Sequence, residues 1–325
     1  MTGVQTCALP ILAAWLALAE VMADVHRLDD AEDCYLRALE FNPDFAEAHY
    51  NYGNLLHRVG RIDESLLQYR AAIRLKPDFV RAHSNLVFVL NYSDQVSPEE
   101  IFDEHREWAR RHADPLTAAV RPHPNPRTGG RALRVGYVSP DFREHAVTCF
   151  FESTLAHHDP GRVAAYCYSD VERPDAYTDR LRHSACAWRD IAGQGDESVA
   201  DLVRSDAIDI LVDLTGHTDN HRLLMFARKP APVQVTWNGY PNTTGMLAMD
   251  YRITDARADP PGTTEHLYTE NLMRLPEIYM AFTPPAAGPE VSPTPVLKTG
   301  HITLGSFNAL FKVTARAIQI GRAHV

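Results

Sequence analysis

Two short words, FNPDF at 41–45 and LKPDF at 75–79, stand 34 residues apart. The same offset carries Ala14-Trp15 to Ala48-His49 and Ala82-His83, Tyr35 to Tyr69, and Ala38 to Ala72. A unit of this length is too small to bury its own apolar face, so consecutive units must stack. Small residues recurring at one position let two helices approach closely. A proline after each second helix stops it and turns the chain into the next unit. The first third of the chain is thereby restricted to a helical array.

Period and residue types together are the tetratricopeptide signature. Trp15 falls on the repeat's usual aromatic position, so the apolar N-terminus reads as repeat core. His26 stands where Gly60 closes the next turn, which predicts an irregular first turn. About two and a half repeats give a short concave face for a polypeptide partner; packing alone is the plainer use of the same residues. The repeat pattern is then lost, although 98–112 is a predicted helix opened by Ser97-Pro98, with Glu99 and Glu100 in its first turn. Grouping that helix with the repeats gives a helical domain over 12–113. The following DPLTAAVRPHPNPRTGGR (114–131), with four prolines and two glycines, reads as a linker.

From Leu133 the texture changes. LRVGYVS (133–139), VAAYCYS (163–169), IDILVDL (208–214) and VQVTW (233–237) are short, apolar and rich in β-formers, and helical stretches such as 174–183 and 197–205 separate them. This alternation predicts a parallel sheet with helices on both faces. Ligands of such sheets sit beyond the carboxyl ends of the strands. Asp141, His145, Gly216-His217 and Gly239-Tyr240-Pro241 all follow strand ends, so one crevice is expected to gather them. His217 and His221 have a helix-like spacing of four, but no glutamate stands where a zinc hydrolase needs one, and a loop shaping the crevice is the preferred reading. No GxGxxG or P-loop lysine motif is present.

The bulk numbers exclude several classes. With 32 Lys+Arg against 42 Asp+Glu and a formal net charge of −10, the chain has no basic footprint for nucleic acid. Five cysteines without a CxxC pair fit a reducing, cytoplasmic setting. The apolar opening lacks the basic n-region of a signal peptide and is too short to span a bilayer, so no membrane partner is expected. The two ends raise a separate expectation. TCALPI (6–11) and IGRAHV (320–325) are encodable by complementary DNA, the mark of translated sequencing adapter. Residues 1–11 and 320–325 are therefore expected to be non-native tails, and the gene to be cut at both ends.

Repeats joined to RVGYVSPDFREHAVTCFF, DILVDLTGHT, FARKPAPVQVTWNGYPNTTG, MDYRITD and GSFNALFK resemble the O-GlcNAc transferase family, bacterial branch, over about 12–319. The resemblance implies an α-helical TPR superhelix followed by an α/β Rossmann-like lobe of GT-B type, over 132–297. A second, truncated nucleotide-binding lobe would begin at 298–319. It implies an inverting transfer of GlcNAc from UDP-GlcNAc to Ser or Thr hydroxyls of proteins, with no metal or other cofactor and with the polypeptide acceptor taken through the repeat groove. Asp141 and His145 match the family's Asp-Phe-x-x-His at the sugar and acceptor hydroxyl. Gly239, Tyr240 and Pro241 match its sugar-facing loop, beside His217, and Lys312 matches a lysine at the diphosphate. The chemistry suits these types. A fixed cation favours the departing diphosphate, and an imidazole of pKa about 6.5 can accept the hydroxyl proton. Asp141 can orient that ring. Two plainer alternatives stand beside this: Asp141 caps the next helix while His145 only hydrogen-bonds sugar, or a phosphate oxygen takes the proton. Departures from the family occur at Asn238, Asn242, Ala309 and Phe311. As a truncated chain, the polypeptide is expected to be inactive alone. A repeat scaffold with a non-catalytic lobe is the alternative function.

Overall fold

The structure is a computed structural model that describes residues 5–127, 129–282, 290–303, 305, 308–313 and 318–319, with side chains from residue 11 onward. It divides into two compact units, residues 1–96 with 285–325, and residues 97–284.

Helices α1 (Gln5–Asp24), α2 (Leu28–Phe41), α3 (Ala46–Arg58), α4 (Ile62–Leu75) and α5 (Val80–Leu90) build the first unit. Ala38, Ala48, Ala72 and Ala82 are all fully buried, as close helix approach at a repeated small residue requires. Asn42 and Lys76, each preceding a proline, leave the helical region for extended backbone and end α2 and α4. The first turn is not irregular. His26 has φ 61° and Gly60 φ 80°. In the same pattern, the Arg27 N–H donates to the Met22 carbonyl (2.8 Å) and the Arg61 N–H to the Leu56 carbonyl (2.9 Å). The histidine takes the glycine's conformation. Residues 5–11 continue α1, while 320–325 lie outside the described residues.

The second unit runs α6 (Pro98–His112), α7 (Asp114–Thr117), β1 (Leu133–Ser139), α8 (Ala146–Ala156), β2 (Val163–Ser169), α9 (Ala176–Ser184), β3 (Ala187–Asp190), α10 (Asp196–Ser205), β4 (Ile210–Asp213), α11 (Leu223–Ala227), β5 (Val233–Thr236), β6 (Tyr251–Asp255) and β7 (Asn271–Leu275). The seven strands form one sheet in the order β3-β2-β1-β4-β5-β6-β7. Every pairing is parallel. Val135, Tyr137, Phe151, Leu181, Val212 and Val235 anchor its core.

Two expectations change here. α6 opens with a full capping box, Ser97 with Glu100, as its sequence suggests, yet it belongs to the second unit rather than to the repeats. The stretch expected as a linker, 114–131, is tied to the sheet by side-chain bonds at two of its described residues. Its Asn125 side chain donates to the Ala207 and Ile208 carbonyls and to Asp209 (2.9–3.1 Å), and Arg131 clasps Asp209 with two nitrogens at 2.6 and 2.7 Å. That clasp, with the Arg134 N–H, pulls the Asp209 carboxyl down to about 2. In 298–319, where a second lobe was expected to begin, the described residues show the end of α12 (Val296–Thr299) and a 3-10 turn at Leu310–Lys312.

Candidate functional site

The sheet order reverses direction between β1 and β4. The chain moves outward from β1 through β2 to β3, then returns to the far side of β1 at β4. Loops leaving adjacent strands at such a point diverge and leave a crevice. The loops after β1, β4 and β5 carry the residues singled out in the sequence.

After β1, the Asp141 N–H donates to Ser139 Oγ (3.0 Å) and the Thr148 hydroxyl donates to the Asp141 carbonyl (2.6 Å). These bonds fix the Asp141 carboxylate inside the protein, with Arg143 at 3.5 Å and His145 Nδ1 at 3.6 Å. Burial raises its pKa, opposed by His145 and Arg143 and reinforced by Asp219 from the loop after β4. Asp141 does not cap α8. His145 does: its backbone is extended and its Nδ1 accepts the Val147 N–H at 3.3 Å. In this cap the neutral ring carries its proton on Nε2. Asp141, close to Nδ1, favours the other tautomer, with Nε2 free to accept.

After β4, Asp213 is the organiser that sequence reading missed. Its carboxylate accepts from the N–H groups of Thr215 (3.1 Å) and Gly216 (2.9 Å) and from the Thr236 hydroxyl of β5 (2.9 Å). Complete burial nevertheless pushes it up to about 6. Gly216 has φ 57°, and a Cβ there would lie 2.2 Å from Tyr240 Cβ. A Cβ on Gly239 would lie 1.8 Å from the Leu214 carbonyl oxygen. The two loops therefore press directly on each other. His217 is buried and donates from Nε2 to the Thr244 carbonyl (2.9 Å). Its ring meets that of His221 at 5.9 Å, edge to face. Among the described residues, no group of three or more His, Cys, Asp or Glu is placed to hold a metal ion.

After β5, Tyr240 is buried and Pro241 exposed, so the loop offers the proline outward and anchors itself by the phenol. Two further residues, silent in the sequence, hold its backbone. Arg252 donates to the Tyr240 (3.0 Å) and Asn242 (2.9 Å) carbonyls. Glu270, buried, accepts from both the N–H and the hydroxyl of Thr244 and from the Thr243 hydroxyl. Asn238 adopts φ 71°, the left-handed backbone that asparagine tolerates better than most. Lys312 is exposed and belongs to the first unit. Its neighbour Phe311 packs on His57 (4.4 Å) and Tyr92 (5.0 Å).

Within the repeats, an open pocket of about 240 Å³ is lined by Glu20, Asp24, Tyr35, Asn51, Asn54 and Arg58. The Asn51 amide donates to Glu20 (3.0 Å), while Tyr69 and Asn85 both donate to Asn54 (2.8 Å).

Residues 46–283 match Glycosyl transferase family 41, and residues 27–60 match a TPR repeat. A barley (Hordeum vulgare) protein named as the probable UDP-N-acetylglucosamine–peptide N-acetylglucosaminyltransferase SPINDLY is 47% identical over 239 residues, 72% of this chain and 25% of its own length. The Arabidopsis thaliana protein named as the corresponding probable transferase SEC is 34% identical over 48% of this chain and 16% of its own. A solved structure of a mutant O-GlcNAc transferase from Thermobaculum terrenum superposes with a TM-score of 0.81 at 42% identity, covering 87% of this chain and 54% of that one. The chain thus spans about a quarter of the length of the SPINDLY relatives it matches, and less of SEC.

Proposed function

Because the chain belongs to glycosyl transferase family 41, we propose that it is the repeat-bearing part and sugar-binding lobe of an inverting protein O-GlcNAc transferase. The whole protein would move GlcNAc from UDP-GlcNAc to Ser or Thr hydroxyls. The observation that supports this best is that Asp141 and His145, His217, and the Gly239–Pro241 loop follow the carboxyl ends of three neighbouring strands, β1, β4 and β5, of one parallel sheet.

His145 is the residue proposed at the acceptor hydroxyl. To take a proton at Nε2, its ring must carry hydrogen on Nδ1 and face Asp141, 3.6 Å away, giving up the 3.3 Å cap contact with Val147. A buried carboxylate favours that arrangement as positive charge develops on the ring. Pro241 and Gly239 shape the sugar pocket, and Lys312 serves the diphosphate of the whole protein. No metal is required in this scheme. The repeats would present the acceptor polypeptide, their polar pocket at Asn51 and Asn54 offering amide partners to a peptide backbone. The free thiols of Cys34, Cys149, Cys167 and Cys186 fit a cytoplasmic setting.

The test is transfer by the whole protein to Ser/Thr peptides, read by mass, with a panel of nucleotide sugars. UDP-GlcNAc is expected to be the productive donor, and His145→Ala to lower kcat at least about a hundredfold while folding normally. Undiminished transfer by His145→Ala would remove the imidazole from the chemistry. No transfer from any donor by the unaltered protein would favour a scaffold.

A further inference from the structure

Helix α6 packs against the loops that follow β4 and β5. His105 and Trp108 are both fully buried. The Trp108 ring meets His217 edge-on at 4.6 Å, and the His105 ring lies 5.1 Å from His217. Arg106 donates to the Gly245 carbonyl, beyond the Gly239–Pro241 loop. The central contact is a hydrogen bond of 2.7 Å between His105 Nε2 and the Tyr240 hydroxyl.

That bond has a defined direction. His105 Nδ1 lies 2.7 Å from the Ile101 carbonyl oxygen, which can only accept, so Nδ1 carries the hydrogen. In the neutral ring Nε2 is then the acceptor, and the Tyr240 hydroxyl donates to it. Two apolar side chains of the same volume would fill this space equally well. What the imidazole–phenol pair adds is orientation, because a hydrogen bond between two buried rings fixes the tilt of each. Tyr240 is one residue from both Gly239 and Pro241, and its Cβ already touches the Gly216 turn. The loop has no slack with which to absorb a tilt.

We infer that His105 is a positioning residue for the crevice: through Tyr240 it sets the height at which the Gly239–Pro241 loop stands above the strand ends. That this height serves a bound sugar rests on the function proposed above. The hold on the loop does not.

The chain itself allows the test. Backbone hydrogen exchange is followed at Gly239, Thr244, Gly245 and Met246, whose N–H groups are bonded within this region, and in β1 and β4 as reference. His105→Leu and Tyr240→Phe are each expected to speed exchange at the loop about tenfold and to leave the strands unchanged. The double variant should be no faster than either single one, because one bond is being removed. His105→Gln, whose amide oxygen reaches the Nε2 position, should restore exchange to within about threefold of the unaltered chain. Faster exchange throughout the sheet, or no rescue by glutamine, would make His105 a packing residue and overturn the inference, as would an unchanged loop. In the whole protein, His105→Leu should depress kcat for transfer about tenfold, with His105→Gln recovering it. A loosened loop with undiminished transfer would instead overturn the placement of the sugar against this loop.

Discussion

At position 26 a branched imidazole side chain sits on backbone that only glycine adopts without strain, with φ 61° in a turn whose counterpart in the next repeat is Gly60. The left-handed region costs an ordinary L-residue about 1–2 kcal/mol, partly offset by glycine's greater freedom in the unfolded chain. His26→Gly is therefore expected to stabilise the repeat unit by about 0.5–1 kcal/mol in chemical denaturation. The His26 contact with Arg58 (3.1 Å) is exposed and forfeits little. The same scale explains what was legible at the site. Asp141 and His145 announce themselves as polar residues at a strand end. Their division of labour does not, because an acid and a histidine are both capable of capping a helix and only the chain's path assigned that place to His145. Asp213, Arg252 and Glu270 were unreadable for another reason. Many of their partners are backbone groups of loops, close by for Asp213 and further along the chain for Arg252 and Glu270, and a backbone N–H or carbonyl leaves no signature in a string of side chains.

Among elements, β1 and β2 coincide with the predicted runs 133–139 and 163–169, since buried parallel strands read as continuous apolar stretches. β3 and β7, the two edges of the sheet, escaped notice: AWRD and NLMRL mix charge with apolar residues, as half-exposed edges do. The cap and register of α6 were equally plain in the sequence, but amphipathic periodicity says only that a helix has a partner, never which one. Composition was silent on how 114–131 is held, because the bonds that Asn125 and Arg131 make to residues 207–209 have no pattern in the sequence. Arg131→Ala leaves the buried Asp209 carboxylate short of two charge-assisted bonds. It is expected to destabilise the second unit by about 1–3 kcal/mol, measured by urea unfolding at pH 7.

For the whole molecule, two compact units predict two unfolding transitions in calorimetry, and acid should move them oppositely. In the first unit, burial lowers the His57 imidazole to about 4. The unfolded chain then binds more protons between about pH 6.5 and 4, so this group's stabilisation is full above that range and is lost as pH falls through it. In the second unit Asp213 is raised to about 6. The folded state binds more protons between about pH 4 and 6, so stability is full at the acid end and is lost as pH rises through 6. Between pH 7 and 5 the first transition should drop by a few degrees and the second rise. Asp213→Asn should reduce the second shift, to which the raised Asp141 carboxyl also contributes, and His57→Phe should reduce the first. Movement of both transitions in one direction would contradict this assignment of charges.

Because α6 lends its own side chains to the crevice, the place to divide this gene is ahead of Ser97 and not in the proline-rich stretch that looks like a seam. A truncation starting at residue 114 would discard His105, Arg106 and Trp108 together and leave Tyr240 and His217 facing solvent. Such a protein would keep its sheet and lose the shape of its pocket. Its failure to bind would then say nothing about the repeats.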